Sequence, residues 1–156
     1  MTATADGIPE EPLQRLYSTL RDRLGDYVAA DELAHAANLP PSSIAPELRT
    51  LEKGGVPIEH HPAIGIRLTQ IPDDLIYWEI QHQLATRSFG RPVFVHRELD
   101  STNDSARSLV DRTAAEGTLV VAECQRAGRG RRGRSWHSPA GVGLWCSLVI
   151  YGVFTR

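Results

Sequence analysis

Residues 122–136 read Ala-Glu-Cys-Gln-Arg-Ala-Gly-Arg-Gly-Arg-Arg-Gly-Arg-Ser-Trp. Within them Gly128-Arg129-Gly130-Arg131-Arg132-Gly133 satisfies the letters of GxGxxG, the fingerprint of dinucleotide-binding sheets. That fingerprint works only where a helix follows the glycines, so that pyrophosphate meets a helix N-terminus, and where an acid stands about 20 residues on. Here Trp136, Pro139 and an apolar strand follow instead, which excludes a doubly wound dinucleotide fold. No Gly-Lys-Ser/Thr occurs, so the stretch is not a Walker A loop either. It reads as a polar, glycine-rich cationic loop from Gln125 to Pro139. Glycines let a backbone approach a ligand closely, and guanidinium forks clamp phosphate or carboxylate bidentately.

The rest of the chain sets this loop apart. The 156 residues hold 17 Lys plus Arg and 19 Asp plus Glu, a formal net charge of −2. Residues 1–90 carry 13 acids against 7 bases, and residues 91–156 carry 6 acids against 10 bases. Five of those ten, Arg126, Arg129, Arg131, Arg132 and Arg134, fall within nine positions, a density that attracts phosphate, nucleotide or nucleic acid. Hydrophobic residues make up 41% and charged residues 23%, which excludes a disordered polyelectrolyte and a low-complexity chain. No apolar run approaches the roughly 20 residues that span a bilayer, and Met1 to Glu11 carries no signal-peptide pattern. Cys124 and Cys146 form neither a CxxC pair nor a disulfide framework, so a cytoplasmic location is expected.

Upstream, Leu13, Leu16, Tyr17, Leu20 and Leu24 recur at helical spacing over Glu10 to Leu24, with Gly25 as a stop. Asp31 is a candidate N-cap for a short helix ending near Asn38. Ser42 or Ser43 would cap a third helix with Ile44, Leu48 and Leu51 on one face; Ser43 as cap would put Pro46 in the first turn. Two extended runs follow, Val56 to Glu59 and Ile64 to Leu68, joined by His60-His61-Pro62-Ala63. Three helices and a hairpin are the order of a winged helix-turn-helix. Gln70 to Asp73 reads as a linker and Asp74 to Arg87 as a helix. A strand at Val93 to Val95, a helix at Thr102 to Ala115 with Ala106, Leu109 and Val110 inward, and strands at Thr118 to Cys124 and Val142 to Tyr151 then open an α/β or α+β domain. The last strand, nearly all apolar, should be central and covered on both faces. Asp100-Ser101-Thr102-Asn103-Asp104 sits between strand and helix, where such residues cap. Cys124 and Cys146 read as core thiols, His60 and His61 lack a second ligand pair for a metal, and Trp78 and Trp145 read as packing residues.

Asp100-Ser101-Thr102-Asn103, then Ala122-Glu123-Cys124-Gln125 and the Arg126 to Trp136 string, then Ser138-Pro139, resemble the biotin–protein ligase family. The upstream helices and hairpin resemble the DNA-binding module of its bifunctional, repressor-type members. The resemblance covers roughly residues 10–150. It implies an α+β chain: residues 1–9 a disordered N-terminus, 10–69 a winged helix-turn-helix, 70–92 a linker and helix, and 93–156 the first part of a class II biotin ligase-like mixed α/β catalytic domain.

The implied activity is ATP-dependent formation of biotinyl-5′-adenylate from biotin and MgATP, then transfer of biotin to a lysine of a biotin carboxyl carrier domain. By the same resemblance Ser101, Thr102, Gln125 and Arg129 would bind biotin. Arg129, Arg131, Arg132 and Trp136 would meet the adenylate and phosphates, with Arg129 and Arg131 as the catalytic cations. Arg49 and Lys53 of the third helix would contact operator DNA. No protein-held metal and no membrane partner are implied, and a homodimer stands as a further option. The family's later KWPND-type lysine motif has no counterpart, Lys53 being the single lysine, so the sequence reads as truncated within the catalytic domain. The alternative reading is a non-catalytic winged-helix regulator that responds to biotin or DNA.

Overall fold

The computed structural model describes residues 11–82 and 84–152. They form two compact units that divide between residues 82 and 83. The expected disorder of residues 1–9 lies outside the described residues.

The first unit has three helices, α1 (Glu11–Asp22), α2 (Ala30–Ala37) and α3 (Pro41–Lys53). Strands β1 (Ile58–His61) and β2 (Gly65–Leu68) follow, then a short helix α4 (Tyr77–Gln81). The α1 periodicity holds as far as Leu20: Leu13, Leu16, Tyr17 and Leu20 are buried, while Leu24 lies past the end of the helix and is exposed. Two caps differ from expectation. Ala29, not Asp31, precedes α2 and offers no side-chain bond, while Asp31 lies in the first turn, where its charge suits the helix dipole. Asn38 closes α2 in the left-handed region, as a C-terminal residue able to do so. Helix α3 starts at Pro41, whose fixed φ suits the first helical position. Ser42 and Ser43 are therefore inside it, and Pro46 lies beyond the first turn. The exposed Pro46 has no N–H to return to the Ser42 carbonyl, and solvent can take that bond.

Strands β1 and β2 pair antiparallel from Ile58↔Leu68 to His61↔Gly65. His60 and His61 thus belong to the strand, not the turn. Val28 bridges to Ile66 on the other side of β2. At Gly65 that approach leaves no room: a Cβ would stand 2.2 Å from the Val28 carbonyl oxygen, and φ is +115°. Leu16, Leu20, Val28, Leu33, Ile44, Leu48, Leu51, Leu68 and Ile76 fill one continuous core, with Trp78 packed against it. The expected helix over 74–87 is only five residues long, with Ile76 and Trp78 packed on this core. Glu79 on α4 accepts from the Tyr17 hydroxyl and receives both Arg21 Nε (3.0 Å) and Nη2 (3.2 Å). Burial and the Glu79 hydrogen bond push the Tyr17 hydroxyl well above the ordinary tyrosine range. Burial alone would raise Glu79, but the bonds from Arg21 and Tyr17 outweigh it and hold the carboxyl below its usual value.

The second unit is a small sheet with one helix. Its elements are β3 (Val93–Leu99), α5 (Thr102–Val110), β4 (Leu119–Arg129), β5 (Ser135–Ser138) and β6 (Trp145–Leu148). Strand β4 is central. It pairs parallel with β3 from Val93↔Leu119 to Leu99↔Gln125. Its other edge is shared: β6 takes Leu119 to Ala122 and β5 takes Gln125 to Arg129, both antiparallel. Ala106 of α5 buries against Val120 and Val149, while Val110 stays at the surface, contrary to its expected inward face.

Two expectations fail here. The Gln125 to Pro139 loop is mostly a hairpin, in which β4 runs on to Arg129 and β5 returns over 135–138. Its polar, glycine-rich sequence hid the strand, because backbone pairing with β5 and not apolar alternation holds it. The last strand is only Trp145–Leu148, and Val142, Leu144, Ile150 and Tyr151 are exposed. Cys146 is exposed with it and Cys124 half-buried, so neither is the core thiol expected.

Candidate functional site

The first residues of α5 meet the middle of β4. Ser101 has extended backbone and its Oγ accepts from the Asp104 N–H (3.4 Å), so the expected cap forms. Among the described residues nothing accepts the Ser101 hydroxyl proton. Thr102 gives its backbone N–H (2.8 Å) and its hydroxyl (3.1 Å) to Gln125 Oε1. The Gln125 amide nitrogen in turn donates to Ser138 Oγ on β5 (3.0 Å). Ser147 Oγ on β6 reaches both Thr102 Oγ1 (2.9 Å) and Asn103 Oδ1 (2.7 Å). One hydroxyl has one proton, so it serves one of these acceptors at a time. The result is a polar chain, Ser147–Thr102–Gln125–Ser138, that joins β6 to β5 by way of α5 and β4.

Gly128 sits beside this chain for a steric reason. A Cβ there would stand 2.8 Å from both Ser138 Oγ and the Trp136 carbonyl oxygen. Between Gln125 and Gly128 the register slips, with Arg126 and Ala127 opposite His137 alone. Such a bulge bends a strand and re-aims its side chains. The extra residue is tied down, since Ala127 N–H donates to the Asp100 carbonyl (2.9 Å).

The clustered arginines fall into two groups. Arg126 pairs with Asp100 (2.9 Å) and Glu98 (3.5 Å), and Arg129 pairs with Asp104 in the first turn of α5. Arg131, Arg132 and Arg134 occupy the hairpin tip, exposed, and form no ion pair among the described residues. The tip is closed by Gly130 N–H to the Arg134 carbonyl (2.8 Å), with Arg132 at φ +60°. The turn after the glycines is a three-residue 3-10 turn followed by β5, so the helix that a dinucleotide fingerprint requires is absent. Trp136 is exposed and meets Trp145 edge-on at 6.5 Å, and Trp145 Nε1 donates to the Pro139 carbonyl (3.2 Å). His96 on β3 is half-buried, and that burial lowers its pKa below the usual histidine value.

Ser101, Thr102 and Gln125 are therefore neighbours, although Thr102 and Gln125 lie 23 positions apart, and Arg129 is tied to the same helix through Asp104. Arg131, Arg132 and Trp136 lie on the same hairpin. Ser101 and Thr102 are buried, so their hydroxyls are framework as much as surface. Arg49 and Lys53 belong to the first unit, exposed and one turn apart on α3, with the neighbouring Glu52 turned to His60 (2.9 Å). Sequence reasoning left out Asn103, Asp104, Ser138 and Ser147. The first three stood inside or beside quoted motifs. Ser147 had one signal, a lone hydroxyl in an apolar run. Among the described residues no three His, Cys, Asp or Glu side chains converge as metal ligands, and no helix is long and apolar enough to cross a membrane.

Comparison with known proteins places this geometry. Residues 95–152 match the biotin/lipoate A/B protein ligase family. The chain is 35% identical over 125 residues to the bifunctional ligase/repressor BirA of Bacillus subtilis, covering 80% of this chain and 38% of that protein. It is 33% identical over 126 residues to the protein of the same name in Escherichia coli, covering 80% of this chain and 37% of that one. The Salmonella typhimurium protein is 34% identical over 135 residues, 85% of this chain and 39% of its own length. The chain thus spans less than two fifths of the length of these relatives. The matched residues contain the whole polar chain from Thr102 to Ser147 and the arginine hairpin. Residues 95–152 are thus similar to the biotin/lipoate A/B protein ligase family, and most of the chain is similar to part of these ligase/repressor proteins.

Proposed function

We propose that the second unit is the opening part of a biotin–protein ligase domain and binds biotin on the α5–β4 surface. The observation that carries this is the polar chain through Thr102, Gln125 and Ser138, with Arg129 held to Asp104 in the first turn of the same helix α5. A cyclic urea offers two N–H donors and one carbonyl acceptor, which hydroxyls and a side-chain amide match in kind. Ser101, Thr102 and Gln125 are the candidates for the ring, and Arg129 for the carboxylate.

In the full reaction a biotin carboxylate oxygen attacks the α-phosphorus of ATP, and the bond to pyrophosphate breaks. The products are biotinyl-5′-adenylate and pyrophosphate. The amine of a carrier-domain lysine then attacks the acyl carbon and AMP leaves. The first step brings two anions together, so fixed cations lower its barrier. Arg129 and Arg131 are the proposed cations, with Arg132 on the phosphates and Trp136 against the adenylate. A hairpin over the mixed anhydride also keeps water from it. Mg2+ bound to the ATP phosphates would add to this charge neutralisation.

A second role has its own support. Three helices and an antiparallel pair with Arg49 and Lys53 exposed on α3 suit a winged helix-turn-helix that contacts operator phosphates.

Calorimetry of the 156-residue chain with biotin, alone and with MgATP, tests the first reading. Biotin should bind, and Arg129→Ala should weaken it about tenfold or more, since hydrogen bonds to charged groups are the strong ones. A folded chain that takes up no biotin overturns the proposal.

A further inference from the structure

We infer that Asp104 is an internal counter-anion for Arg129, which the carboxylate of an incoming ligand must displace. This rests on the reading of Arg129 as the carboxylate-binding cation.

The position of Asp104 makes its pairing unexpected. With Ser101 as N-cap, Asp104 is the third residue of α5. An acid there ordinarily turns back to the cap N–H or simply faces the positive helix end. Ser101 Oγ accepts the Asp104 N–H, yet the Asp104 carboxylate reaches Arg129, 25 positions along the chain. Both ends of the pair are held. Arg129 closes β4 against Ser135 of β5, just past the bulge that Ala127 anchors to Asp100. Asp104 is fixed by the helix.

The neighbouring cations supply a contrast. Arg126 has its own acids, Asp100 and Glu98, while Arg131, Arg132 and Arg134 have none among the described residues. Arg129, the proposed carboxylate-binding cation, is thus neutralised from within the unit. The three at the tip remain available to draw anions in. Carboxylate for carboxylate is a near-symmetric exchange: the guanidinium of Arg129 faces one carboxylate before and one after. Side-chain exposure of 64% at Arg129 and 42% at Asp104 leaves the pair open to a competing anion from solvent. Two consequences follow. A ligand carboxylate competes with Asp104, and a neutral analogue does not.

The test compares wild type with Asp104→Asn, which keeps size and helix position. Each is titrated with biotin and with its uncharged primary amide, biotinamide. Removing the competitor should tighten biotin about two- to fivefold, the scale of an exposed ion pair, and leave biotinamide unchanged. Asp104→Ser should reproduce the gain, and Asp104→Glu should remove it. Weaker biotin binding, or an equal change for both ligands, overturns the inference, because Asp104 would then orient Arg129 or support the fold. If neither ligand binds wild type, the biotin reading is what has failed. Inorganic pyrophosphate then serves as the probe: tighter binding by Asp104→Asn upholds the counter-anion role, and unchanged binding overturns it.

Discussion

The two units bury apolar surface very differently. In the first, Leu16, Tyr17, Leu20, Leu33, Leu51 and Leu68 are fully buried in one core to which every helix contributes. In the second, the core beneath α5 is Ala106, Val120 and Val149 with partly covered neighbours, while Val142 and Leu144 are 72% and 62% exposed. Burying a large aliphatic side chain stabilises by about 1.5–3 kcal/mol, so the first unit holds itself by packing. The second leans on strand pairing and on the polar chain through Thr102, Gln125, Ser138 and Ser147. Buried polar networks are rigid only while every member is satisfied.

The sharpest way to break this comparison is a pair of leucines. Leu16→Ala should cost the first unit about 2–5 kcal/mol, because a fully enclosed side chain leaves a cavity. Leu144→Ser should change the second unit by no more than about 0.5 kcal/mol. Amide hydrogen exchange, read separately for residues 11–82 and 84–152, checks both. Equal losses would mean the units share one cooperative core.

A smaller effect should come from Gly128→Ala. Its Cβ would press on the Trp136 carbonyl and Ser138 Oγ, and backbone cannot yield as a side-chain tip does. The expected cost is about 1–3 kcal/mol, the range for overpacking, with biotin binding lost alongside. Ser138→Ala should lose binding with less loss of stability; a Gly128→Ala chain of wild-type affinity would refute the steric account.

The smallest effect is in pH. His96 has a lowered pKa in the folded chain, so the unfolded chain takes a proton more readily. The second unit should therefore lose stability as pH falls below about 6.5 and on through the lowered folded value. Glu79 also has a lowered folded pKa, so its contribution to the first unit is present above about 4.5 and lost as pH falls further. Acid should loosen the second unit first. His96→Gln should flatten the second unit's slope between pH 7 and 5 in the same exchange experiment. An unchanged slope would assign it elsewhere.

The sequence was legible where structure is local. The α1 stripe, the Asn38 terminator and the Ser101 cap each depend on residues within a turn or two, so spacing and side-chain type reveal them. The cation cluster was visible as composition, and the Ser101 to Asn103 and Gln125 to Trp136 motifs carried the family. Reading failed where the partner is distant. The strand from Gln125 to Arg129 exists because β5 returns beside it, and no apolar alternation announces it.

By itself, then, the sequence determined the α1 stripe, the Asn38 and Ser101 helix ends, the order of elements, the charge of the hairpin and the residue types at the site. Tertiary structure decided which of those residues meet: Thr102 with Gln125, Gln125 with Ser138, Ser147 with Asn103, Arg129 with Asp104. The physical reason is range. Caps and periodicity act through covalent neighbours a few residues apart, whereas these contacts join positions 13 to 44 residues apart and exist only once the sheet has set its register.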